Sequence, residues 1–128
     1  MSLAAQVAGL AHIGIRVHDA ARSRQFYELL GFTWAWGPYG PENVGAMTHP
    51  SGLELNFIVN APDAVQPNIL MDVPQKHAGI THIALKIADV AATRRALDEA
   101  GIAISGTRGA SALFIRDPDG NVIELASD

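Results

Sequence analysis

At 128 residues the chain has the length of one domain, and with 48% hydrophobic and 17% charged residues it is globular rather than disordered or fibrous. A formal net charge of −4 gives no electrostatic reason to bind nucleic acid or an anionic membrane. The lack of cysteine excludes disulfides and thiolate metal sites, so any metal must be held by nitrogen and oxygen donors. No apolar run reaches the roughly 18 residues of a membrane helix. Residues 1–9 lack the basic segment and apolar stretch of a secretory leader, so a cytoplasmic protein is expected.

The first element begins near residue 12. Ile13, Ile15 and Val17 alternate with His12, Gly14 and Arg16, the period of a strand with one apolar face. Asp19 then stands as a helix N-cap and Gly31 as the residue that ends the helix. Between them Ala20, Ser23, Tyr27 and Leu30 form a stripe at helical spacing that should pack on the apolar strand face. Three strands follow, near 32–36, 45–49 and 53–59, the last two joined by the turn His49-Pro50-Ser51-Gly52. In the last strand Glu54 and Asn56 oppose Leu53, Leu55 and Phe57, so both point away from the helix.

Residues 60–79 form a linker that carries three of the seven prolines; within it 68–73 fits either a short strand or one helical turn. The earlier pattern then recurs. Ile83, Leu85 and Ile87 oppose His82, Ala84 and Lys86; Asp89 caps a helix with the stripe Val90, Thr93, Leu97 and Ala100; Gly101 ends it. Strands are expected near 102–105, 112–116 and 121–126, with Asp117-Pro118-Asp119-Gly120 as the turn between the last two. The chain therefore reads as an α+β fold of two tandem βαβββ modules, about 10–59 and 80–126, within a single domain.

The repeat also carries chemistry. One offset of 70 residues takes His12 onto His82 (82 − 12) and Glu54 onto Glu124 (124 − 54). A lone strand histidine is ordinarily hydrogen-bonded, and a glutamate near a strand end is ordinarily solvated. Here all four share the polar face, and two carboxylates gathered without a cation would repel. The set points to a divalent metal held by His12, Glu54, His82 and Glu124. Arg16 and Asn56 lie on the same face and are candidates to hold a polar substrate. The remaining histidines read differently: His49, at the start of a hairpin turn where Asp117 stands in the second copy, is expected to cap that turn.

These residues resemble the vicinal oxygen chelate superfamily, which includes glyoxalase I, extradiol dioxygenases, methylmalonyl-CoA epimerase and bleomycin or fosfomycin resistance proteins. The resemblance runs from Leu10 to Leu125. It is carried by His12 to Asp19 with Phe26-Tyr27 and Leu30-Gly31-Phe32, by Thr81-His82-Ile83-Ala84, and by Asp117-Pro118-Asp119-Gly120-Asn121-Val122-Ile123-Glu124. It implies paired βαβββ modules whose curled mixed sheet forms a concave cup around one metal. In glyoxalase I the ligand order is His, Glu, His, Glu, which His12, Glu54, His82 and Glu124 match. Arg16 stands where glyoxalase I has an Arg that helps bind glutathione, whereas Ile58 stands in place of an Asn.

The resemblance implies a metal-dependent lyase or isomerase of the glyoxalase I type, acting through an ene-diolate on a small molecule with vicinal oxygens. The expected cofactor is a divalent ion (Zn, Ni, Co, Mn or Fe), with Glu54 or Glu124 as the base. Two alternatives remain open at this level. One is an Fe(II) extradiol dioxygenase using His12, His82 and Glu124; the other is a metal-free small-molecule binding or resistance protein. A homodimer is expected from the superfamily, with the metal bound within one chain or across two.

Overall fold

The computed structural model describes residues 2–62 and 67–128. The chain divides into two compact units, Met1–Asp63 and Ala64–Asp128, each holding one βαβββ module. The first contains β1 (Ile13–Val17), α1 (Ala20–Leu29), β2 (Thr33–Tyr39), β3 (Val44–Thr48) and β4 (Glu54–Val59). The second contains β5 (His82–Lys86), α2 (Val90–Ala100), β6 (Gly106–Arg108), β7 (Ala112–Arg116) and β8 (Val122–Ala126). Each module is a four-stranded mixed sheet, in the orders β1-β4-β3-β2 and β5-β8-β7-β6. In both, the first strand runs parallel to the last, and the other neighbours are antiparallel. The α+β reading of the sequence is correct, and so is the helix that crosses over after the first strand of each copy.

The helix ends form where the sequence puts the capping chemistry. Asp19 Oδ1 accepts from the amides of Ala21 and Arg22 at 2.8 and 3.2 Å, and Asp89 Oδ1 from that of Ala92 at 2.7 Å. At the other end, Phe32 N–H donates to Tyr27 O and Ile102 N–H to Leu97 O. These six-to-one closures need a left-handed residue, supplied by Gly31 (φ 92°) and Gly101 (φ 72°). Phe32 and Ile102 thereby give their amides to the helix.

The second module departs from the expectation at its second strand. The strand expected at 102–105 lies at Gly106–Arg108. Pairing starts only where the Ser105 amide reaches Phe114 O at 2.8 Å, and the ladder then runs Gly106 to Phe114 and Arg108 to Ala112. In the linker, residues 68–73 close a turn: Asp72 and Val73 amides donate to Ile69 O, and Asn68 Oδ1 accepts from the Leu70 amide. Of the two shapes open for this stretch, the turn is the one adopted.

Each sheet buries one face against its helix. In the first module Ile15, Val17, Met47, Leu55 and Phe57 are buried together with Tyr27 of α1. The Tyr27 ring lies 5.3 Å from Phe57, and Trp34 stacks on the same Phe57 at 6.0 Å. In the second, Leu97 of α2 is buried with Leu113, Ile115, Ile123 and Leu125. Strand alternation then sends His12, Glu54, Asn56, His82 and Glu124 to the opposite faces.

Candidate metal centre

The second module brings two of the four candidate ligands together. His82 opens β5, and Glu124 lies in the middle of β8 opposite Ala84. Residues two apart on a strand share a face, so the imidazole and the carboxylate project to the same side. His82 Nε2 stands 3.3 Å from Glu124 Oε1. The other ring nitrogen, Nδ1, is 2.8 Å from Thr81 Oγ1, which orients the ring. Phe114, paired with Glu124 across the ladder, meets the His82 ring edge-on at 6.2 Å. Glu124 is only 8% exposed.

Sequence reasoning missed a third member. Arg108 of β6 donates through Nη2 to Glu124 Oε2 at 3.0 Å, and the same guanidinium forks onto Asp128, with Nη2 to Oδ1 at 2.9 Å and Nη1 to Oδ2 at 3.0 Å. Hydrogen bonds donated to Asp128 and then Glu124 hold Arg108 further above its ordinary pKa, and Arg108 in turn lowers that of Asp128. Arg108 was overlooked because the strand was expected to end at residue 105. With β6 in its true position, Arg108 lies two residues beyond Gly106, which closes the row through Phe114 and Glu124.

The first module is not a copy of this arrangement. Its ladder pairs Ile13 with Leu55 and Gly14 with Asn56. The residue two positions after His82 faces Glu124; the residue two positions after His12 faces Asn56. The hairpins agree: Thr48 pairs with Glu54 as Arg116 pairs with Val122, and Ala46 pairs with Asn56 as Phe114 pairs with Glu124. The offset of 70 therefore holds for the histidines but becomes 68 in the hairpins (122 − 54), and Asn56, not Glu54, occupies the slot of Glu124.

The two extra residues of the first module lie between β2 and β3. Trp36 pairs with Ala46, ten residues on, and Gly106 pairs with Phe114, eight residues on. Register shifts on both sides of Trp36 and a left-handed Gly37 (φ 83°) absorb the excess. A slip of two leaves every side chain on its original face, so Glu54 remains on the polar side, one pleat removed from the symmetric position.

Asn56 is 9% exposed, and its Oδ1 is buried with no hydrogen-bond partner among the described residues. Its cross-strand neighbours Gly14 and Ala46 have no side-chain donor to engage that oxygen. His12 is exposed and Glu54 half-buried. Among the described residues no hydrogen bond or ion pair joins these two, and no group of three His, Asp or Glu side chains stands ready to hold a metal ion. Arg16 is engaged elsewhere, its Nε donating to Asn60 Oδ1 at 2.9 Å, while Asn60 Nδ2 donates to Glu42. His49 caps its turn as expected, Nδ1 accepting from the Ser51 amide at 3.0 Å, and Asp117 Oδ1 does the same for Asp119 and Asn121.

The donor set suits a divalent ion. Imidazole, carboxylate and amide oxygen without thiolate are the ligands of Zn, Ni, Co, Mn and Fe(II). A buried carbonyl oxygen without a donor costs about 1–3 kcal/mol, a cost that a cation or a polar substrate would relieve.

The family model for the glyoxalase/bleomycin resistance protein/dioxygenase superfamily matches residues 9–125. The chain belongs to that superfamily. Members are usually enzymes and generally use divalent metal ions. Among solved structures, the superfamily fold is shared with a glyoxalase family protein from Enterococcus faecalis (25% identity, TM-score 0.71, covering 92% of this chain and 96% of that one). It is shared also with the fosfomycin resistance protein FosX from Listeria monocytogenes (17%, 0.71, 94% and 91%). A third is the trypanothione-dependent glyoxalase I of Leishmania major (24%, 0.64, 94% and 86%). No curated protein sequence matches the chain. None of the described helices of this superfamily member is long and apolar enough to cross a membrane.

Proposed function

We propose that this chain is a divalent-metal-dependent enzyme acting on a small molecule with two adjacent oxygens, a glyoxalase I-like lyase or isomerase. The observation that carries the reading is the buried Glu124 carboxylate held 3.3 Å from His82 Nε2 on the face turned away from the helix. His82 and Glu124 would hold the ion with His12, within one chain or across two. A bound ion would polarise a substrate carbonyl and so acidify the neighbouring carbon.

The chain's own residues then divide the remaining work. Both Glu124 oxygens already have partners, Oε1 with His82 and Oε2 with Arg108. Glu54 has no hydrogen bond or ion pair among the described residues. Its half-buried position on the same face lets its carboxylate oxygen take the substrate proton and return it to the adjacent carbon. Asn56 offers its unpartnered Oδ1 to the ion or to a substrate hydroxyl. Arg16 remains a candidate to bind substrate, although Asn60 now competes for its guanidinium.

Asn56 in the slot of Glu124 favours a second reading, in which His12, His82 and Glu124 alone form a two-histidine, one-carboxylate set. Extradiol dioxygenases and fosfomycin enzymes use such a set. One panel separates the readings. Protein loaded with Zn, Ni, Co or Mn is assayed for turnover of a methylglyoxal–thiol hemithioacetal, iron-loaded protein for oxygen uptake with catechols, and both for loss of fosfomycin. Hemithioacetal turnover that Glu54→Gln abolishes without releasing metal supports the lyase. Oxygen uptake or fosfomycin loss without it transfers the assignment to the three-ligand chemistry. Protein that takes up no metal, and binds no metal when it is added, leaves a metal-free binding or resistance protein. We further propose a single cytoplasmic domain that forms a homodimer; a monomer at micromolar concentration by sedimentation refutes the dimer.

A further inference from the structure

We infer that Arg108, held by Asp128, is a positioning residue that fixes which Glu124 oxygen is offered to a metal ion; the inference rests on the metal reading above. The carboxylate of Glu124 has two oxygens, and each is assigned. Oε2 accepts from Arg108 Nη2 at 3.0 Å, and Oε1 faces His82 Nε2 at 3.3 Å. An ion entering beside His82 therefore meets Oε1 with the ring and the carboxylate already aligned, and Oε2 is withheld. Glu124 would thus offer one oxygen, Oε1, to an ion.

A cation so near a metal ligand would ordinarily oppose metal binding. Asp128 prevents this. Its carboxylate takes the guanidinium in a two-pronged fork at 2.9 and 3.0 Å, and Arg108 Nη1 reaches Ser111 Oγ at 3.2 Å. The planar guanidinium serves two carboxylates at once, a geometry that an ammonium cannot reproduce. The Arg108–Asp128 pair is electrically neutral as a unit, so it orients Glu124 with little loss of the ligand's charge. Orienting partners behind a metal ligand are typically worth about 10–100-fold in metal affinity.

The test is Zn(II) and Ni(II) affinity by titration calorimetry on the full chain. Thermal melts of the metal-free protein check that each variant is folded. Arg108→Met is expected to weaken binding about 10–100-fold. Arg108→Lys should fall between it and wild type, and Asp128→Asn should also weaken binding because it uncovers the guanidinium charge. In a Glu124→Ala background, Arg108→Met should bring no further loss, since the carboxylate it orients is gone. If Arg108→Met does not fold, Arg108→Lys and the exposed Asp128→Asn carry the test. Affinities unchanged within twofold in these variants, while His82→Ala abolishes binding, overturn the inference and leave the metal reading standing. An equal loss from Arg108→Met in the Glu124→Ala background also overturns it. A wild-type chain that binds neither ion overturns the metal reading and this inference with it.

Discussion

Replacing Asn56 with leucine should make the metal-free protein more stable and the site worse. Asn56 is 9% exposed, and its Oδ1 is buried without a partner among the described residues. Leucine has the same branching without the orphan oxygen, so the substitution removes an unpaired carbonyl worth about 1–3 kcal/mol. Part of that gain is lost to the slightly larger side chain between Gly14 and Ala46, where overpacking costs about 1 kcal/mol at its mild end. The balance is a stabilisation of about 1 kcal/mol, or a rise in Tm of roughly 3–6 °C for a chain of this size. The opposite effect is expected on the metal-loaded protein: the Tm increase produced by saturating Zn(II) or Ni(II) should shrink, because leucine offers no donor. Differential scanning calorimetry on stripped and loaded protein reads both. A lower Tm for stripped Asn56→Leu would refute the reasoning, because it would mean that the amide already makes a structural hydrogen bond. An unchanged metal-induced shift would show that Asn56 does not touch the ion.

Three further outcomes follow from packing, capping and charge. Gly45→Ala should destabilise by about 1–3 kcal/mol in denaturant titration. The new Cβ would press on the Trp34 indole, which cannot retreat because it stacks on Phe57 and donates through Nε1 to Gly37 O at 3.0 Å. Asp89→Ala removes the acceptor for the Ala92 amide at the start of α2 and should cost about 1 kcal/mol, whereas Asp89→Asn should retain most of the stability. Asp72 accepts from Arg116 at 2.8 and 3.1 Å, and this lowers its carboxyl pKa below the ordinary 3.8. A depressed carboxylate contributes above its unfolded pKa and loses that contribution as the pH falls through the folded one. Protease resistance of the 68–73 turn should therefore be equal at pH 7 and pH 5 and should fall only below pH 3.8, while Asp72→Asn should be sensitive throughout.

Much of the fold could be read along the chain because it rests on local chemistry. Asp19 and Asp89 cap helices, Gly31 and Gly101 end them with positive φ, and apolar alternation shows which strand face is buried. The His49 and Asp117 turns follow from the same local rules. The misplaced strand at 102–105 shows where those rules end. The Ser105 bond to Phe114 O marks where the ladder starts, and that partner lies on another strand.

The candidate site divides along the same line. The sequence by itself determined which residues share a face, because side-chain direction alternates with a period of two and survives any even slip. It could not determine which residue is level with which. Counting residues matched Glu54 with Glu124, but the bulged connection between β2 and β3 absorbs two extra residues and brings Asn56 level with the slot that Glu124 fills. Only pairing between strands decides register, and only register separates a paired, oriented Glu124 from Glu54, one pleat away and unpaired among the described residues. The same tertiary pairing carries Arg108 to Glu124 over 16 residues of chain, a contact that no local pattern encodes.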